Sequence, residues 1–95
     1  MSVKRTAAKR DKNEREIIET LTAIGCTVQQ LSARGVPDLL VGFQDPETGL
    51  PTNLLMEVKD KGGKLTPDQV NWIETWEGQV YVVYNVQEAL LAVGR

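Results

Sequence analysis

The sequence predicts an α/β fold in which a mixed β-sheet is flanked by helices, in the order helix, three strands, helix, strand, helix. Three observations support this fold class. Apolar residues first recur at helical spacing, then gather in short runs that are typical of strands, and two helix-start signals follow, separated by one more strand-like run. A hairpin followed by a helical crossover to another strand makes the sheet mixed.

The first half of the chain predicts one helix and two strands. Apolar residues at helical spacing predict a helix over about Asp11 to Ile24, and Gly25 is placed to end it in the left-handed conformation. A short strand is expected over Thr27 to Leu31. The continuous apolar stretch Val36 to Phe43 predicts a second strand, in which the charge of Asp38 is unexpected.

The second half opens with a proline- and glycine-containing loop over residues 44–52, which predicts a long hairpin to the third strand. Thr66 as the helix cap, Pro67 at the first helical position and Gln69 three residues after the cap form a helix-start signature, a capping box. The predicted elements are a strand over Asn53–Asp60, a helix from Pro67 to about Glu77 ended by Gly78, a strand over Gln79–Tyr84, and a helix over Val86–Val93 whose start signal is Asn85 to Glu88.

The composition indicates one domain spanning residues 1–95, with 41% hydrophobic and 25% charged residues. No apolar run approaches the roughly 20 residues of a membrane-spanning helix, and no signal-type segment is present, so we expect a cytoplasmic protein without a membrane partner. With one cysteine, Cys26, and no histidine, disulfides, cysteine-built zinc sites and histidine catalysis are excluded. A catalytic site in this chain has to use carboxylates, lysine and water.

The charge is unevenly distributed although its sum is only −2. Six cations crowd the first segment, which is expected to begin with a flexible basic arm over residues 1–10; they are Lys4, Arg5, Lys9, Arg10, Lys12 and Arg15. Such a segment suits contact with a phosphate backbone, and it equally suits a solubilising amino terminus.

Two acidic residues and one lysine carry the pattern that points to chemistry. Asp38 opens one predicted strand, and Glu57 and Lys59 close the next on one face, so antiparallel pairing brings the three together. Each has a plainer interpretation: Asp38 as a strand-edge residue bonded to a turn, the other two as a surface salt bridge. Jointly they predict a site for a hard divalent cation, with an amine beside it.

Three sequence blocks in order resemble the VRR-NUC branch of the PD-(D/E)XK nucleases. These blocks are Gly35-Val36-Pro37-Asp38-Leu39-Leu40-Val41, Leu55-Met56-Glu57-Val58-Lys59 and Gly63-Lys64-Leu65-Thr66-Pro67-Asp68-Gln69. The resemblance implies a restriction-endonuclease-like core and metal-dependent hydrolysis of phosphodiester bonds in DNA.

The resemblance also implies roles for individual residues. Asp38 and Glu57 would be metal ligands together with the backbone carbonyl of Val58, and Lys59 would position or activate the attacking water. The expected ion is Mg²⁺, with Mn²⁺ able to substitute. Gln69 belongs to the third block and would align the site, although a capping-box role alone explains it nearly as well.

The first helix is similar to the opening helix of archaeal Holliday junction resolvases, through Glu14-Arg15-Glu16-Ile17-Ile18, Leu21 and Gly25. In that comparison the first glutamate assists the metal site, so Glu14 is expected to act there directly or through water, and Glu16 is the alternative. An exposed helix face of mixed charge is the plainer interpretation of both.

The resemblance therefore predicts a Mg²⁺-dependent endonuclease that resolves Holliday junctions as a homodimer. The alternatives are a nicking or flap-type nuclease that works with a replication or helicase partner, and a module that binds nucleic acid without cutting it. The residues expected to contact branched or duplex DNA are Lys9, Arg10, Arg15, Arg34, Lys61 and Lys64. Trp72 and Trp76, four residues apart on one helix, indicate packing or a dimer surface.

Overall fold

A computed structural model describes residues 12–95, which form three helices and four strands. In chain order these are α1 (Lys12–Ala23), β1 (Thr27–Gln30), β2 (Leu39–Gln44), β3 (Pro51–Val58), α2 (Pro67–Thr75), β4 (Val80–Val83) and α3 (Val86–Ala92). This is the predicted order. The predictions that fall on residues 1–11, including the basic arm and the DNA contacts of Lys9 and Arg10, lie outside the described residues.

The four strands form one mixed sheet with the order β1-β2-β3-β4. Strand β2 is antiparallel to both β1 and β3, with Leu39 opposite Met56 in the β2–β3 pair. After the helical crossover through α2, β4 lies parallel to β3, with Glu57 beside Val82. The α/β class and the mixed sheet predicted from the sequence are confirmed.

The hydrophobic core lies between α1, α3 and one face of the sheet. Strand β3 alternates, so that Leu54, Met56 and Val58 point into this core while Glu57 points to the opposite face. Helix α2 lies on that opposite face, where Gln69 bonds to Glu57. The buried apolar residues of the core are Ile17, Leu21, Cys26, Leu39, Val41, Leu54, Met56, Val58, Val83, Ala89 and Val93.

Both predicted helix-start signals form the bonds expected of them. The Thr66 hydroxyl accepts from the amide of Gln69 and the Gln69 side chain accepts from the amide of Thr66, which completes the capping box. The side chain of Asn85 accepts from the amide of Glu88 at 2.8 Å. Gly25 takes a φ of 101° after α1, the left-handed conformation that glycine adopts readily.

The prediction that Gly78 ends α2 is wrong, because the helix stops at Thr75 and its cap is Trp76 in an extended conformation. The indole of Trp76 turns back to stack on Trp72, with ring centroids 4.5 Å apart. Its Nε1 lies 2.9 Å from where a side chain on Gly78 would begin. Glycine at position 78 thus makes room for the indole.

Strands β2 and β3 both differ from their predicted bounds. Strand β2 starts at Leu39, so Asp38 lies just before the strand, and β3 runs from Pro51 to Val58, so Lys59 lies just after it. At the hairpin end both strands extend further because Asp45 forms a compact turn, its Oδ1 accepting from the amides of Glu47 and Thr48.

Cys26 is buried with 6% of its surface exposed, as expected of a small apolar residue. Burial raises the pKa of its thiol, and the charge of Arg95 acts in the opposite direction more weakly. None of the helices described within residues 12–95 combines the length and apolarity needed to cross a bilayer.

The cap at the start of α3 is a separable contribution to stability. Replacing Asn85 with alanine removes the acceptor for the Glu88 amide. We expect a loss of about 1 kcal/mol in the free energy of unfolding and a melting temperature lower by about 4–8 °C, measured by circular dichroism. Asn71→Ala at an exposed position of α2 is the control, and equal melting temperatures for the two variants would contradict the capping role.

Candidate active site

The carboxylate of Asp38 is joined to the backbone of β3 by a hydrogen bond. The Val58 amide donates to Oδ2 of Asp38 at 2.8 Å. Val58 is the residue between Glu57 and Lys59, so this bond brings the first predicted metal ligand beside the other two functional groups. Although Asp38 and Val58 are 20 positions apart in the chain, they lie at the same edge of the sheet.

Pro37 limits the pairing of β2 with β3 beyond Leu39, because it offers a carbonyl acceptor but no N–H donor. Continuing the register of Leu39 with Met56 places Pro37 opposite Val58. The amide and carbonyl of a strand residue point the same way, so both groups of Val58 face this position. Since proline has no N–H, it cannot donate to the Val58 carbonyl, the backbone oxygen predicted to bind metal. The Val58 amide bonds to Asp38 instead.

Glu57 is buried on the face of the sheet opposite the main core, with 1% of its surface exposed. Its Oε2 accepts from Nε2 of Gln69 at 3.0 Å and lies 3.9 Å from the ammonium nitrogen of Lys59. An ionised carboxylate costs several kcal/mol to bury unless charges or donors compensate it. The amide and the ammonium supply that compensation, and they hold the carboxylate at one place.

Gln69 makes the contacts that both of its predicted roles require. Its Oε1 accepts from the Thr66 amide at 2.9 Å, while its Nε2 donates to Glu57. One planar amide thus connects the start of α2 to the buried carboxylate. The position of Glu57 therefore depends on how α2 begins.

The two glutamates of the first helix have different environments. Glu14 faces the sheet with 3% of its surface exposed, and its Oε2 accepts from Nε2 of Gln30 at 3.1 Å. Glu16 is exposed to solvent. Glu14 is thus the carboxylate that α1 directs toward the strand ends.

Two polar residues of this region were missed as functional candidates in the sequence. Gln30 holds Glu14, and Asn13 donates through Nδ2 to the carbonyls of Lys59 and Tyr84, each at 3.0 Å. Neither contact has a local sequence signal, because each joins residues far apart in the chain. A hint was available only for Asn13, since asparagine is an unfavourable residue inside a helix.

The donor set of the site suits a hard divalent cation. Asp38 and Glu57 contribute carboxylate oxygens and Val58 a carbonyl oxygen, and Mg²⁺ commonly takes one or two carboxylates and leaves further positions to water and phosphate. Within residues 12–95 no three His, Cys, Asp or Glu side chains gather closely enough to hold a metal. Glu14 accordingly stands apart from the two-carboxylate set.

The described basic residues that were predicted to contact DNA are all exposed, but they differ in position and in ion pairing. Lys61 and Lys64 are exposed in the segment that follows β3 and Lys59, and Arg15 is exposed on α1. Arg34 forms an exposed ion pair with Asp68 at 3.2 Å, beside Gln69 at the start of α2. Such an exposed pair contributes little to stability, so a phosphate can compete for the guanidinium.

Comparison with known proteins agrees with the fold. The family model of the VRR-NUC domain matches residues 3–93. A solved structure described as a VRR-NUC domain is similar to the chain at 27% identity and a TM-score of 0.65, covering 86% of this chain and 90% of that one. No curated protein matches. The chain belongs to the VRR-NUC domain family, a family of nuclease-type modules that process DNA.

Proposed function

We propose that the protein is a divalent-metal-dependent, structure-selective DNA endonuclease that cleaves Holliday junctions as a homodimer. The observation that carries the proposal is the hydrogen bond from the Val58 amide to Asp38, because it sets one carboxylate beside the buried pair of Glu57 and Lys59. Two carboxylates, one carbonyl and one ammonium at a single edge of the sheet are the groups that phosphodiester hydrolysis uses.

Asp38, Glu57 and the Val58 carbonyl would hold Mg²⁺ or Mn²⁺, which when bound polarises the phosphodiester and lowers the pKa of a bound water. The Lys59 side chain is 15% exposed, and its ammonium nitrogen lies 3.9 Å from Oε2 of Glu57. From there it can orient the attacking water by hydrogen bonding and offset negative charge that develops on the phosphate. Gln69 and Lys59 keep the Glu57 carboxylate in place through this step.

Glu14 is the third acid that we assign to the site. Its bond to Gln30 leaves it buried near the ends of the strands, where it would act on the metal through water. The exposed cations Lys61 and Lys64 would contact phosphates of the bound DNA. Contacts to phosphates depend on the shape of the DNA backbone and do not read the base sequence, so they suit selection of a branched DNA structure.

The outer edge of β4 supports a homodimer. Gln79 and Val83 accept from β3, so the alternate residues Val80 and Val82 direct their backbone groups outward from the sheet of described strands. No residue from Val80 to Val83 is charged, and charges are a usual protection of edge strands. Antiparallel pairing of two β4 strands about a two-fold axis would place Val80 opposite Val82 of the second copy.

A groove of about 420 Å³ beside this edge is lined largely by apolar side chains and includes Tyr81, which is 41% exposed, and Leu91, which is 71% exposed. Two copies paired along β4 would cover these side chains. A two-fold dimer would also present two equivalent active sites, as a four-way junction presents two equivalent strands.

The central experiment measures cleavage of labelled four-way junction, flap and linear duplex DNA with and without Mg²⁺. We expect the wild type to cut the junction and EDTA to stop the reaction. Lys59→Ala should lower the cleavage rate by about a hundredfold or more, because the group that orients the water is lost, while DNA binding is retained.

Each other outcome of this experiment has a clear meaning. Preferred cutting of the flap substrate would favour the flap-type nuclease, and binding without cutting under any divalent metal would favour the non-catalytic module. Arg95→Ala, which removes an exposed cation near Cys26 and Phe43 at the other end of the sheet, is the matched control and should cut at the wild-type rate. Full activity of the Lys59 variant would contradict the mechanism.

The two contacts of Gln69 can be separated by comparing it with Thr66. Gln69→Ala and Thr66→Ala both break the capping box and should each lower the free energy of unfolding by about 1 kcal/mol. Only Gln69→Ala also removes the bond to Glu57, so only that variant should lose most of its cleavage rate. Equal rates for the two variants, measured with Mg²⁺ under single-turnover conditions, would limit Gln69 to the helix cap.

The proposed dimer surface can be tested by placing a charge on the β4 edge. Tyr81→Lys should raise the dimer dissociation constant by about tenfold or more, because two lysines would face each other across the two-fold axis. The measurement is molar mass by light scattering over a dilution series. Leu50→Lys makes the same kind of change at another exposed apolar residue, in the β2–β3 hairpin, and should leave the dimer intact. A dimer unaffected by Tyr81→Lys would place the interface elsewhere.

A further inference from the structure

We infer that Asn13 is a positioning residue for the cleavage step, because it holds the backbone of Lys59 where the lysine side chain serves the site. The inference rests on the proposed function. Its basis is a pair of hydrogen bonds in which Nδ2 of Asn13 donates to the carbonyls of Lys59 and Tyr84, each at 3.0 Å.

Asn13 acts at the point where the pairing of β3 with β4 stops. The register ends at Val58 beside Val83, and the Lys59 amide still donates to the Val83 carbonyl at 3.0 Å. In a parallel ladder the next donor, to the Lys59 carbonyl, would be the amide of Asn85. Asn85 is instead the cap from which α3 departs. The side chain of Asn13 supplies the donor at this position.

The chemistry of the contact selects an amide side chain. Both groups in front of Nδ2 are carbonyl acceptors, so the interacting group has to offer two hydrogens from one atom. A carboxylate of the same shape, as in aspartate, offers none and would place negative charge against two carbonyl oxygens. Asparagine at position 13 is therefore matched to the ends of β3 and β4.

The Lys59 backbone depends on contacts from outside β3, because the strand ends at the preceding residue. Strand β3 ends at Val58, and the exposed residues Asp60 and Lys61 follow Lys59 directly. Two hydrogen bonds hold the Lys59 backbone: its N–H donates to the Val83 carbonyl, and its carbonyl accepts from Asn13. Losing the second bond would free the residue to rotate, which would move the ammonium relative to Glu57.

Stability alone does not explain this asparagine. Its Oδ1 is buried with no hydrogen-bond donor among residues 12–95, and a buried acceptor without a donor is unfavourable. Asparagine is also a poor helix former compared with alanine, and it lies within the first turn of α1. The favourable interactions of Asn13 that remain are its two hydrogen bonds to the ends of β3 and β4, and one of these holds the backbone of Lys59.

The test measures single-turnover cleavage of the labelled junction with Mg²⁺ by the full chain, varying protein concentration to separate the maximal rate from the half-saturating concentration. For Asn13→Asp we expect the maximal rate to fall about 10- to 100-fold, as for a catalytic group displaced by about 1 Å. The half-saturating concentration should change by less than about twofold, because the phosphate-contacting lysines are untouched.

Two controls separate this role from general damage to the fold. Asn71→Asp makes the same chemical change on the exposed surface of α2 and should cut at the wild-type rate. Ile24→Ala, just after α1 at the end remote from Asn13, removes part of a core contact and lowers stability without touching Lys59. It should keep its cleavage rate at a temperature where it remains folded.

The outcomes distinguish this inference from the proposal on which it rests. A wild type that cuts and an Asn13→Asp variant that cuts equally well would overturn the inference alone. Equal slowing by Ile24→Ala would also overturn it, since the effect would then follow stability. If Asn13→Asp does not fold by circular dichroism, Asn13→Ala replaces it with the same expected result. A wild type that cuts no DNA with any metal would overturn both.

Discussion

The arrangement of the site depends on one substitution in a hydrogen-bond ladder, in which a carboxylate takes the place of a backbone carbonyl. The pairing of β2 with β3 ends at Leu39 and Met56, and the next inward-facing amide of β3, that of Val58, donates to Asp38. Pro37 offers no N–H donor to the Val58 carbonyl. The end of the strand pairing thus brings the Asp38 carboxylate and the Val58 carbonyl, the two oxygens proposed to bind metal, close together.

Burial of Glu57 makes the neighbouring residues interdependent. A carboxylate with 1% exposure needs compensation, and it receives this from Lys59, just after β3, and from Gln69 on α2. Gln69 is held in turn by the cap of that helix. The Gln69 side chain therefore both stabilises the start of α2 and positions the Glu57 carboxylate, so a shift of the helix start would also move that carboxylate.

Much of this could be predicted from the sequence, because the signals concerned are local. The capping box of α2, the cap of α3, the alternation along β3 and the juxtaposition of Asp38 with the Glu57–Lys59 segment follow from spacing alone. The end of α2 could not be predicted, because the stacking of Trp76 on Trp72 overrides the usual preference for glycine at a helix end. The contacts of Asn13 and Gln30 were also out of reach, since a sequence does not show which strand ends a helix will meet.

The hydrogen bonds of Asn13 also affect when during synthesis the proposed active site can form. They join this residue to carbonyls 46 and 71 positions further along the chain, the second of them beyond β4. During synthesis from the amino terminus, α1 is made long before its bonding partners, so the two hydrogen bonds can form only after Tyr84 has left the ribosome. If Asn13 positions Lys59 as inferred, the proposed active site is therefore completed late in folding.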